Sequence, residues 1–80
     1  MNKYQHISII LDAFKKSKAK SFNMPGKFFI MKNSDADIEG YYHPDDFIIV
    51  YKEMFDEDLI FEYNPMFDYY KFSVLSDKDA

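Results

Sequence analysis

The sequence predicts an α+β domain, an N-terminal amphipathic helix packed on a small antiparallel sheet of about four strands. Three observations carry this reading. Apolar residues fall at helical spacing through the first twenty positions. A Met24-Pro25-Gly26 breaker follows, and after it come short aromatic and β-branched runs separated by polar clusters.

The helix is expected at about 3–19. Tyr4, Ile7, Ile10, Leu11 and Phe14 share one side, while Gln5, Ser8, Asp12, Lys15 and Lys16 lie elsewhere. Asn2 can cap the first turn, with Gln5 three residues on as a loose capping box. Lys15, Lys16, Lys18 and Lys20 sit where cations complement the helix dipole. Ser21–Gly26 reads as a breaker. Strands are expected at Lys27–Lys32, Phe47–Lys52, Leu59–Tyr63 and Tyr69–Leu75, with a short extra strand at Tyr41-Tyr42 as an option. The alternative is a second helix at about 44–57. Pro44-Asp45-Asp46 is a good helix opening, and Phe47, Val50, Tyr51, Met54 and Phe55 fit a helical stripe. Residues 76–80 read as a frayed tail of a single small domain, 1–80.

Four strands of this composition would be apolar on both faces. Such a sheet must curl, be covered by the helix at 44–57, or keep an apolar face for a partner, which would allow a homodimer.

Among the 80 residues there is no cysteine, so neither a disulfide framework nor a thiolate zinc site is available. Stability must come from apolar bulk: 48% of residues are hydrophobic and 20% aromatic. The longest apolar run, Phe47–Tyr51, is far below the ~18 residues needed to span a bilayer. Asp12 interrupts the N-terminal apolar patch, so no signal peptide is expected, and a cytoplasmic, membrane-free protein is.

Charge divides the chain. Met1–Lys32 holds seven lysines against Asp12 alone, whereas Asn33–Ala80 holds three lysines against thirteen acids. Every basic residue is lysine, which removes the guanidinium fork used for guanine readout.

The acidic stretch 35–46 fits part of a calcium-loop template, with Asp35, Asp37, Glu39, Gly40 and Asp46 at loop positions one, three, five, six and twelve. Asp46 stands where a longer glutamate is usual, and no second loop accompanies it, so the divalent-cation site is a minority expectation. Tyr42-His43-Pro44-Asp45 resembles the signature loop of J-domain co-chaperones, and Val74-Leu75-Ser76-Asp77 is similar to another phrase of that family. In that family a lysine- and arginine-rich helix precedes the loop and contacts the chaperone. Here Asn33–Tyr41 is acidic and contains Gly40, so the co-chaperone function is not carried over.

Catalysis finds little support. The two histidines, His6 and His43, have no cysteine or nucleophile-elbow serine to work with, and Val50 stands where a nuclease motif opening at Pro44-Asp45 would need an acid before Lys52. No enzyme activity and no cofactor are expected. The lysine-rich first third is compatible with a nucleic-acid binder, the less favoured alternative. The favoured expectation is a small acidic binding module for a protein partner with a basic surface. One version is an inhibitor or immunity-type protein, phage or mobile-element encoded, that blocks the nucleic-acid groove of a nuclease. The contact residues would be Tyr41, Tyr42, Asp45, Asp46, Phe55, Asp56, Glu57, Asp58, Glu62, Asp68, Tyr69 and Tyr70, where rings supply buried area and acids steer encounter.

Overall fold

The computed structural model describes residues 3–33 and 43–75. Six elements follow in chain order: α1 (Lys3–Ser17), β1 (Ser21–Pro25), α2 (Gly26–Asn33), α3 (Pro44–Phe55), β2 (Asp58–Asn64) and β3 (Tyr69–Leu75). The strands form one three-stranded antiparallel sheet in the order β1-β3-β2, so the last strand is the central one. The α+β class and the N-terminal helix stand, and two of the four expected strands, at 59–63 and 69–75, fall within β2 and β3.

Three assignments need correction. Lys27–Lys32 is helical, because it lies within α2. A strand would send Phe28 and Phe29 to opposite faces. On a helix both reach the core, with ring centroids 6.5 and 5.9 Å from that of Phe47. Phe47–Lys52 is helical too, which realises the alternative second helix at 44–57. Its buried residues Phe47, Val50 and Tyr51 repeat at helical spacing. His43 is extended (φ −124°, ψ 150°), Pro44 opens the helix, and Asp56 closes it with a left-handed φ of 54°. The third correction is β1, which occupies the segment read as a breaker. Phe22 and Met24 pack against the core, while Asn23 and Pro25 are exposed. Pro25 is tolerated because β1 is an edge strand.

With two of the expected strands converted to helices, the doubly apolar sheet disappears. One face carries Phe22, Met24, Leu59, Phe61, Tyr70, Phe72 and Val74 into the core. The other carries Asn23, Glu62 and Lys71 beside Ile60, Tyr69 and Leu75. The second apolar sheet face, which would have allowed a homodimer, is therefore a mixed one.

Helices α1 and α3 cover the inner face. Ile7, Leu11 and Phe14 of α1 are buried, and Phe14 meets Tyr51 of α3 at 6.1 Å between ring centroids. Ion pairs close both ends: Lys3 Nζ lies 3.1 Å from Asp46 Oδ2, and Lys15 pairs with Glu57. The two helices thus run side by side in the same direction. At the centre Phe72 is fully buried, stacked on Phe22 at 4.9 Å and on Phe47 at 5.1 Å. Removing either ring leaves a cavity among packed aromatic side chains. Phe47→Ala and Phe72→Ala are each expected to cost ~3–5 kcal/mol, read from the midpoint shift in urea unfolding at unchanged slope.

Candidate functional site

The expected contact residues separate into three places. Asp45 and Asp46 open α3. Asp45 is exposed, whereas Asp46 is only 8% exposed, and its carboxylate accepts the His43 backbone N–H at 3.0 Å beside Lys3. Asp46 therefore fastens the helix start, and His43-Pro44-Asp45 provides its cap residue and first turn.

Asp56, Glu57 and Asp58 form the α3–β2 junction, and each faces a lysine. Lys52 Nζ lies 3.6 Å from Asp56 Oδ1 and 3.4 Å from Asp58 Oδ1. Lys15 holds Glu57 and also lies over the Phe55 ring, 5.1 Å from its centroid. These contacts push both lysines above their ordinary range, Lys15 mainly through its hydrogen bond to Glu57 and Lys52 mainly through the charge of Asp58. Much of this acidic patch is matched by cations within the chain.

The third place is the β2–β3 hairpin tip, a strand's length away, roughly 20 Å at ~3.3 Å per residue. Glu62, Asp68, Tyr69 and Tyr70 lie here. Tyr70 turns inward, its ring 5.1 Å from that of Phe29. Tyr69 is half-buried, and its hydroxyl accepts the Asn64 side-chain amide at 3.4 Å. Tyr41 and Tyr42 lie outside the described residues, as do Asp35, Asp37 and Glu39 of the minority cation site. Among the described residues, no group of three or more His, Asp or Glu is arranged to hold a metal ion.

Two residues at this tip were not anticipated. Met66 is 81% and Phe67 71% exposed, among the largest apolar side chains left in solvent. The backbone beneath them is firmly tied. Asn64 Oδ1 accepts the N–H groups of Met66 and Phe67 at 2.9 and 3.1 Å. The Tyr63 hydroxyl donates to Asp68 Oδ1 at 2.7 Å. The Gly26 N–H donates to the Asp68 carbonyl at 2.8 Å, anchoring the tip to the start of α2. Asp68 itself takes a left-handed φ of 53°, which aspartate tolerates better than most residues. Beside the tip a recess of about 350 Å³ is lined by Glu62, Tyr63, Pro65, Met66, Tyr69 and Lys71 among others.

A signal for the tip existed in the sequence. Asn64-Pro65 and Asp68 mark a turn, and turns normally carry Gly, Asn, Asp or Ser, so Met66-Phe67 is out of place there. Comparison of the chain with protein-family models, with curated proteins and with solved structures returned no match. Among the described residues, no helix is long and apolar enough to cross a membrane.

The ties beneath the tip can be loosened in two ways. A β-carbon added at Gly26 would overlap the Asp68 carboxylate. Gly26→Ala should displace that group, cost about 1 kcal/mol for the disturbed hydrogen bond, and speed hydrogen exchange at the Met66 and Phe67 amides. The hydrogen bond to Asp68 also raises the Tyr63 phenol above its ordinary value. A raised folded-state value stabilises the protonated form. This contribution is complete below the unfolded value of about 10 and is lost as pH climbs through the folded one. Above pH ~10 the melting temperature should accordingly fall more steeply in the wild type than in Tyr63→Phe.

Proposed function

We propose that this chain is a small protein-binding module that docks through the β2–β3 hairpin tip, with Met66 and Phe67 entering an apolar recess of a basic-rimmed partner. The observation that carries the reading is a turn tied by hydrogen bonds that nevertheless holds two large apolar side chains in water. Folding gains nothing from exposing them, whereas binding does: a pre-ordered anchor avoids much of the entropy cost of immobilising a loop. Burying a Phe or Met side chain is worth roughly 1.5–3 kcal/mol. The basic rim is supported by Glu62 and Asp68 beside the anchors and by the net charge of −4.

A concrete form of the reading is an inhibitor or immunity-type protein, of the kind phages and mobile elements encode, that blocks the basic nucleic-acid groove of a nuclease. Acid balance and small size support it. In this form the tip fills an apolar hollow in the groove while carboxylates oppose its lysines and arginines. The junction acids Asp56, Glu57 and Asp58 have a lesser part, because Lys15 and Lys52 already face them.

The test is affinity capture from the native host, followed by binding measurements with the purified partner. Phe67→Ala should weaken binding about tenfold or more at every salt concentration while leaving the fold intact, as expected for an apolar hot spot. Glu62→Gln should change mainly the salt dependence and the association rate. A partner that binds Phe67→Ala at full affinity overturns the reading.

A further inference from the structure

A second surface lies at the C-terminal end of α1, remote in sequence from the hairpin tip. There a cleft of about 200 Å³ opens between the exit of α1, the side of α3 and the end of β3. Lys15, Lys18 and Lys20 line it, with Phe14 and Val74 as apolar wall and Tyr51 and Glu57 completing it. We infer that this cleft is a binding site for a phosphate-type oxyanion.

The lysines are not all explained by the helix. Lys15 and Lys16 occupy its last turn, where a cation offsets the partial negative charge of the free carbonyls. Lys16 also pairs with Asp12 at 2.9 Å, away from the cleft. Lys18 lies beyond Ser17, where α1 ends two residues earlier than expected, past the reach of that argument, yet it lines the cleft.

Lys18 carries a second anomaly. Three described non-glycine residues have a left-handed φ: Lys18 at 62°, Asp56 at 54° and Asp68 at 53°. Aspartate tolerates this region, whereas a helix exit of this kind usually employs glycine. Retaining a lysine there keeps a cation at the mouth of the cleft at a conformational cost. Strained positions of this type cluster at functional sites.

The cleft also already holds an anionic group. Glu57 is the one carboxylate among its described lining residues, and Lys15 grips it. Tyr51, with 1% exposure, forms the buried floor close to both Lys15 and Glu57. Glu57 thus occupies the position of a resident counter-ion, which an incoming oxyanion of higher charge displaces from Lys15. A compact phosphate suits ammonium groups on flexible stems, since lysine binds phosphate as a point charge and needs no fork geometry.

The probe is inorganic pyrophosphate, titrated into isotopically labelled protein at constant ionic strength while backbone amide signals are followed. Saturable shifts are expected at residues 15–20, 51, 57 and 74. Lys18→Gly should weaken binding by roughly three- to tenfold, the scale of one exposed ion pair. The same variant should melt no lower than the wild type, since glycine relieves the left-handed backbone. A purely structural Lys18 would not combine these two results. Glu57→Gln should tighten binding by a similar factor, because the competing charge is gone. A parallel titration with a single-stranded twelve-nucleotide DNA identifies the source. Tighter binding by the DNA, with shifts spreading to Lys16, assigns the site to a nucleic-acid backbone; equal or tighter binding by pyrophosphate assigns it to a small free phosphate. Absence of saturable shifts in the cleft, or Lys18→Gly binding at wild-type affinity, overturns the proposal. Unchanged affinity in Glu57→Gln overturns the role given to Glu57.

Discussion

The stacking of Phe47 on Phe72 is the contact on which the architecture rests. Phe72 sits midway along the central strand, with Phe22 opposite it on one neighbouring strand and Phe61 on the other. Phe47 comes down on this row from α3, and Phe29 of α2 approaches Phe47 from beside it. Through two rings, therefore, the sheet, α2 and α3 share one centre. Helix α1 joins through Phe14, which lies 4.6 Å from Phe22 and 6.1 Å from Tyr51. A chain this small without cysteine has no covalent brace. Aromatic side chains bury the most area per residue, and tilted or offset pairs add about 0.5–1.5 kcal/mol beyond that area.

How much of this was legible depends on whether local signals and tertiary demands agree. They agree in α1, where the stripe Ile7, Leu11, Phe14 is what the core takes. They agree in β2 and β3, where the turn at Asn64-Pro65 separates two alternating segments. They conflict at Phe28–Phe29 and at Ile48–Val50. Aromatic and β-branched residues favour strands on average, but packing against the sheet requires a face three to four residues in period. The helix opening at Pro44-Asp45-Asp46 was the better guide, because a cap is a local geometric requirement and β-propensity is a statistical one. At Ser21–Pro25 the alternation of Phe22 and Met24 was present, though hidden by Asn23 and Pro25.

The acidic surface was legible as composition and illegible as layout. Counting acids did not reveal that Lys3, Lys15 and Lys52 would reach Asp46, Glu57 and the Asp56–Asp58 pair. Two of these lysines come from the basic first third of the chain, so the charge asymmetry along the sequence is partly an internal pairing scheme. It fastens α1 beside α3 at both ends. The exposed pairs made by Lys15 and Lys52 contribute little individually, whereas Lys3–Asp46 is largely shielded from solvent. Among the described residues, Lys18 stays exposed at the exit of α1, and Glu62 stays exposed beside Met66 and Phe67.

The central position of β3 bears on how the chain is made. Both of its neighbours precede it in sequence, and Ser21 must wait for Ser73 to complete its pairing. During synthesis β1 and β2 emerge with no strand to pair with, and Phe47 emerges with no Phe72 beneath it. Nothing resembling the finished sheet can form until residues 69–75 have left the ribosome. Until then Ile7, Leu11, Phe29 and Phe47 lack the sheet that helps to bury them in the folded chain. Pairing of β1 with β3 closes the chain across α2, α3 and β2, a non-local contact of the kind that slows folding.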